Sequence, residues 1–118
     1  MSRLKKDIGD WGENQACAFL GRQGFEIIDR NYHTTNGEID IVARQGGDYY
    51  FIEVKTRAEG DMANDLSITL SKKFRLQKTV KSYCYRKGIS DASIILSGLL
   101  VTFSRVHHTA RFSLFKLY

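Results

Sequence analysis

The chain has 118 residues, 42% hydrophobic and 26% charged, with no proline and two cysteines; that is the size of one domain able to bury a core without staples. Its 18 Lys+Arg against 13 Asp+Glu leave a net charge of +5, which suggests a polyanionic partner without establishing one. The opening MSRLKKDIGDWGE has no apolar run of the signal-peptide kind and no stretch approaches a membrane span, so the reading is a soluble, cytoplasmic protein. Cys17 and Cys84 are then expected as reduced, packed thiols.

In chain order, residues from about Asp7 to Arg22 predict a helix. Gly9, Glu13, Ala16, Cys17 and Leu20 share one stripe, and Gly24 supplies a stop. FEIIDRNY (25–32) predicts a first strand. TTNG (34–37) is turn chemistry, followed by strands over EIDIVA and YYFIEVKTR joined through RQGGD. AEGDMAND (58–65) reads as a polar loop. Residues 67–88 contain a second helix, with Leu76, Val80, Tyr83 and Lys87 on one face and Gly88 past its end. ASIILSGLLVTF (92–103) reads as a buried strand with an irregularity at Gly98, and TARFSLFKLY (109–118) as a final alternating strand. The order αβββαββ predicts a single α/β domain over 1–118, a mixed sheet of about five strands flanked by helices.

Charge is unevenly spread. Residues 1–54 hold 6 Lys+Arg and 9 Asp+Glu, a net −3; residues 55–87 hold 9 and 3, a net +6; residues 88–118 hold 3 and 1, a net +2. An acidic half beside a basic middle suits a protein that gathers cations in one place and phosphates next to it.

The hairpin at residues 37–57 concentrates the acids. With Gly46 and Gly47 as a two-residue turn, Gln45 faces Asp48 and opposed residue numbers sum to 93. Asp40 then lies across from Glu53, Glu38 lies across from Lys55, and all four share one face. Like charges directly opposed are destabilising, and a divalent cation with oxygen ligands would relieve them. A solvated sheet face with a plain Glu38–Lys55 ion pair is the alternative. Glu13, on the helix stripe, should point toward the sheet, where a carboxylate is costly unless paired or ligated; it either joins the site or bonds a backbone amide or Arg30.

These residue types suit metal-assisted phosphodiester hydrolysis. Asp40 and Glu53 would be metal ligands for Mg²⁺ or Mn²⁺, with the Val54 carbonyl a third. Lys55 would orient water or phosphate and stabilise charge, and Glu13 would bind a second metal or position a metal-bound water. The second helix places seven Lys and Arg within 17 residues, Lys72, Lys73, Arg75 and Lys78 leading. Such density can neutralise several phosphates, although a solubilising helix face is the commoner use of a charge run. His107 and His108 have no second cluster at ligand spacing and read as solvated.

The ordered set GE…RNY…GEID…EVKTR resembles the YraN-like family, small bacterial proteins described as predicted endonucleases. That family is part of the PD-(D/E)xK, restriction-endonuclease-like superfamily. The resemblance covers about residues 9–57 well and the Lys72–Tyr83 helix more loosely. It implies a restriction-endonuclease-like fold with an acidic set on Glu13, Asp40 and Glu53, and a lysine on Lys55. It also implies a Mg²⁺-dependent nuclease acting on DNA, with branched or flap DNA suggested by similarity to archaeal resolvases. Similar nucleases often dimerise, which leaves a homodimer open. The competing readings are a non-catalytic nucleic-acid-binding protein of the same fold and a protein-interaction module with an accidental acidic cluster.

Overall fold

The computed structural model describes residues 3–60, 70–89 and 93–117. Its elements are α1 (Arg3–Arg22), β1 (Glu26–Thr34), β2 (Gly37–Gln45), β3 (Asp48–Ala58), α2 (Leu70–Lys87), β4 (Ser93–Ser104) and β5 (Thr109–Lys116). This is the expected αβββαββ order. The expected polar loop lies outside the described residues from position 61 onward, as do residues 67–69 ahead of α2. The five strands form one sheet in the order β1-β2-β3-β4-β5. All neighbours are antiparallel except β3 and β4, which run parallel, so α2 is the crossover between them.

Helix boundaries follow local chemistry. α1 begins four residues before Asp7, in a polar stretch that carries no apolar stripe to announce it. It ends where Gly24, at φ 90°, lets the Phe25 amide reach back to the Leu20 carbonyl at 2.9 Å. α2 stops in the same way at Gly88, at φ 69°, with the Ile89 amide on the Cys84 carbonyl at 2.9 Å.

Each helix covers one face of the sheet. Ala16 and Leu20 of α1 pack with Ile41, Ala43, Ile52, Leu99 and Val101 on one side, while Leu76, Val80, Tyr83 and Cys84 of α2 pack with Ile39, Val42 and Phe51 on the other. Fully burying side chains of this size stabilises by roughly 1.5–3 kcal/mol each. Cys17 packs with the first cluster and Cys84 with the second, so the sheet separates two free thiols. Gly12 meets β3 so closely that a Cβ there would collide with Thr56. Gly9, one turn earlier, has open space around it, so the close approach of α1 to β3 is made at Gly12.

The second hairpin has the expected turn and register. Pairing runs from Gln45↔Asp48 to Ile41↔Ile52, and Gly46 takes φ 62°. Beyond Ile41 the pattern changes. Ile39 and Ile41 are two residues apart and should share a face, yet Ile39 packs beneath α2 and Ile41 beneath α1. β1 changes face at the same level. Arg30 bonds Glu13 of α1, whereas Tyr32 meets the ring of Tyr83 in α2 at 4.9 Å. Asn31 lies between them at φ 54°, a left-handed conformation that asparagine tolerates better than most residues. The switch of both strands puts Asp40 at the seam.

Candidate active site

Asp40 sits where the β2–β3 ladder stops. Instead of a further backbone pair, its Oδ2 accepts the Val54 amide at 2.7 Å, so a side chain takes over the bonding as the strands fork. Burial pushes the Asp40 carboxyl up to about 7; the Val54 amide opposes this, and the charges of Glu38, Glu13 and Glu53 add to it. Three carboxylates acting on a fourth make a strongly negative spot.

Asp40 and Glu53 open into one cleft of about 280 Å³, together with Glu38. Its opposite wall is the start of α2, from which Lys72, Arg75 and Leu76 face the acids. α2 can lie this close because Gly37 has no side chain. A Cβ there would stand 3.3 Å from the Thr79 hydroxyl, and φ is +154°. Thr79 is buried, and its hydroxyl donates to the Arg75 carbonyl at 2.8 Å. Carboxylates thus form one wall of the cleft and cations the other.

The remaining expected residues fall around this centre. Glu13 is held by Arg30, Nη2 to Oε1 at 3.2 Å, and its side chain is only 14% exposed. The same Nη2 donates to Asn14 at 2.8 Å. Glu13 is therefore an ion-paired acid on the α1 side whose charge still reaches Asp40. Lys55 follows Glu53 on β3, half-buried and paired in register with Leu100; it does not line the cleft. Glu38 does not reach across to Lys55 as expected. It pairs with His33 of β1 at 3.3 Å, because the change of face at Asp40 turns it toward β1. Lys73 is half-buried on α2 outside the cleft lining, while Lys78 lines a second cleft. His107 and His108 are exposed.

Among the described residues, no group of three or more His, Cys, Asp and Glu is placed to hold a metal. Asp40 and Glu53 bring two carboxylates to the cleft, oxygen donors of the kind Mg²⁺ takes alongside water and phosphate oxygens. Val54 meets the site through its amide, on Asp40, and is not among the residues that line the cleft.

Sequence reasoning passed over Phe74. It falls off the apolar stripe of α2 and is 60% exposed, with the Lys78 ammonium 4.9 Å from its ring centre. The signal was there in KKFRLQK, an aromatic placed among cations where no core position is due.

A model of the family described as "Uncharacterised protein family UPF0102" matches residues 12–114. A UPF0102 protein of Roseiflexus castenholzii is 44% identical over 85 residues, 70% of this chain and 68% of the relative. One of Geobacter sulfurreducens is 37% identical over 102 residues, covering 86% and 80%. One of Neisseria meningitidis serogroup C is 36% identical over 104 residues, covering 87% and 90%.

Proposed function

The chain belongs to the uncharacterised protein family UPF0102, and from that premise we propose that it is a metal-dependent nuclease of the PD-(D/E)xK kind, hydrolysing DNA phosphodiester bonds. One observation carries the reading: Asp40 and Glu53 share a cleft whose other wall is Lys72 and Arg75. A phosphodiester needs that combination. Its negative oxygens are drawn by the cations, and the carboxylates hold what activates the attack.

Asp40, Glu53 and the Val54 carbonyl would hold Mg²⁺ or Mn²⁺. When bound, the ion supplies Lewis-acid polarisation of the phosphoryl oxygen and a more acidic water. The protein's own part is positional. The Val54 amide fixes one oxygen of Asp40, so the carboxylate enters the reaction already oriented, at little entropic cost. Lys72 and Arg75 draw the phosphate against the acids. Lys55, two residues beyond Glu53 on β3, stands outside the cleft lining, and its charge would act on the developing oxyanion only from that longer range. Glu13 keeps the negative potential at Asp40 high, while Arg30 holds it in place.

Cleavage of labelled single-stranded, duplex, flap and four-way DNA in Mg²⁺ and Mn²⁺ tests this, with Glu53→Ala protein purified identically as control. Metal-dependent cutting that disappears in Glu53→Ala is the expected result. The observation favouring the alternative, a binding protein of the same fold, is that Glu13 is committed to Arg30. Salt-sensitive DNA binding with no cutting of any substrate would select it.

A further inference from the structure

The active cleft continues into a second one of about 510 Å³ that shares Gly37, Glu38 and Arg75 with it and is walled further out by Phe74, Lys78 and the end of β1 with its turn, residues 33–36. We propose that this second cleft is a nucleobase subsite in which an unpaired nucleotide next to the scissile phosphate stacks on Phe74. The inference rests on the nuclease reading and deepens it, because it selects strands with unpaired bases.

Phe74 is the centre of the subsite. An aromatic ring more than half in water gains nothing from the core, and α2 buries its apolar residues on the opposite face, at Leu76, Val80 and Tyr83. The Lys78 ammonium stands over one face of the ring, 4.9 Å from its centre, and with the residue 60% exposed the other face is the one a flat partner would use. Lys78, four residues further along α2, sits one turn on beside the ring, and Arg75 lines the same cleft. An aromatic face with adjacent cations is the arrangement that holds single strands, the ring taking the base and the cations the phosphates. Arg75 lines both clefts, so a strand whose phosphate meets Asp40 and Glu53 has its neighbouring base at Phe74. Glu38 lines both clefts, and its pairing with His33 at 3.3 Å offsets its charge where it borders the subsite. A paired base has its faces covered within the duplex stack and cannot use the ring, which gives the subsite its selectivity.

Binding measured by fluorescence anisotropy tests this without cleavage, using Glu53→Gln protein throughout. The probes are a labelled oligothymidylate and a blunt duplex of equal length. Phe74→Ala should weaken oligothymidylate binding about tenfold and leave duplex binding within about twofold, at an unchanged melting temperature. Phe74→Trp should restore single-strand affinity and add an indole emission, beyond that of Trp11, that oligothymidylate quenches. Equal losses on both probes, no loss on either, or unquenched emission would overturn the subsite while leaving the nuclease reading intact. Failure of the unaltered surface to bind either probe at low salt would overturn both. Stacking together with absent cleavage in the wild-type protein would keep the subsite and remove the enzyme.

Discussion

Asp40 couples the chemistry of the site to the stability of the fold. Its carboxyl is raised to about 7 in the folded chain, against about 3.9 when unfolded. Between those pH values the folded state holds the extra proton, so stability falls as pH rises from about 4 to 7 and stays low above that. After solvent screening, the loss is on the order of 2–4 kcal/mol. An amide in the same place keeps an oxygen for the Val54 amide and carries no charge. Asp40→Asn should therefore melt several degrees above wild type at pH 7.5 in EDTA, with the difference closing by pH 4.5. Melting curves across that range decide it. A difference independent of pH would mean that Asp40 does not titrate in this window.

The elements meet with little slack, and Gly12 of α1 shows how little. A methyl group there would collide with the Thr56 side chain of β3, so either α1 or the strand must shift. Gly12→Ala should cost about 1–3 kcal/mol, and Thr56→Ala should recover part of it by removing two of the three crowding atoms. A double-mutant cycle in urea measures the coupling, and strict additivity would remove the contact from the account. Glu13 was legible because helical spacing sets it on the sheet-facing stripe with Ala16, Cys17 and Leu20. The hairpin register was legible because two glycines admit few turns, and one turn fixes every pair up to Ile41. Past that point legibility ended. Alternation assumes an unbroken strand, and a left-handed Asn31 is not written in any spacing. β2 changes face at Asp40 at the level of Asn31: Ile39 and Ile41 go to opposite faces, and a carboxylate bond to Val54 stands where the Asp40–Glu53 backbone pair was due. Phe74 was missed for another reason. Aromatics in a helix are read as core by default, and only the placement of the apolar stripe shows that this one is not.

At the scale of the molecule, the acidic and basic parts of the chain meet in one cleft, where β2 and β3 fork and α2 packs over them. The acidic first half supplies Asp40 and Glu53. The basic middle supplies Lys72, Arg75 and Lys78, and a glycine at 37 lets the two meet. On the proposed nuclease reading, the position of these cations and not the net charge of +5 should set DNA affinity. Counterion release predicts a fall in log affinity with log salt of about 0.9 per phosphate neutralised. Arg75→Gln and Lys78→Gln should each reduce that slope by about one. Arg22→Gln removes the same charge from the end of α1, where the guanidinium lies over Phe112 at 5.8 Å, on the face away from α2. It should leave the slope unchanged. Anisotropy titrations of labelled duplex DNA over a series of KCl concentrations give the three slopes directly. Equal reductions for all three variants would mean that DNA responds to total charge, and the α2 wall would lose its place as the phosphate contact. A reduction confined to Arg75 and Lys78 would place the backbone along that wall, within reach of the acids.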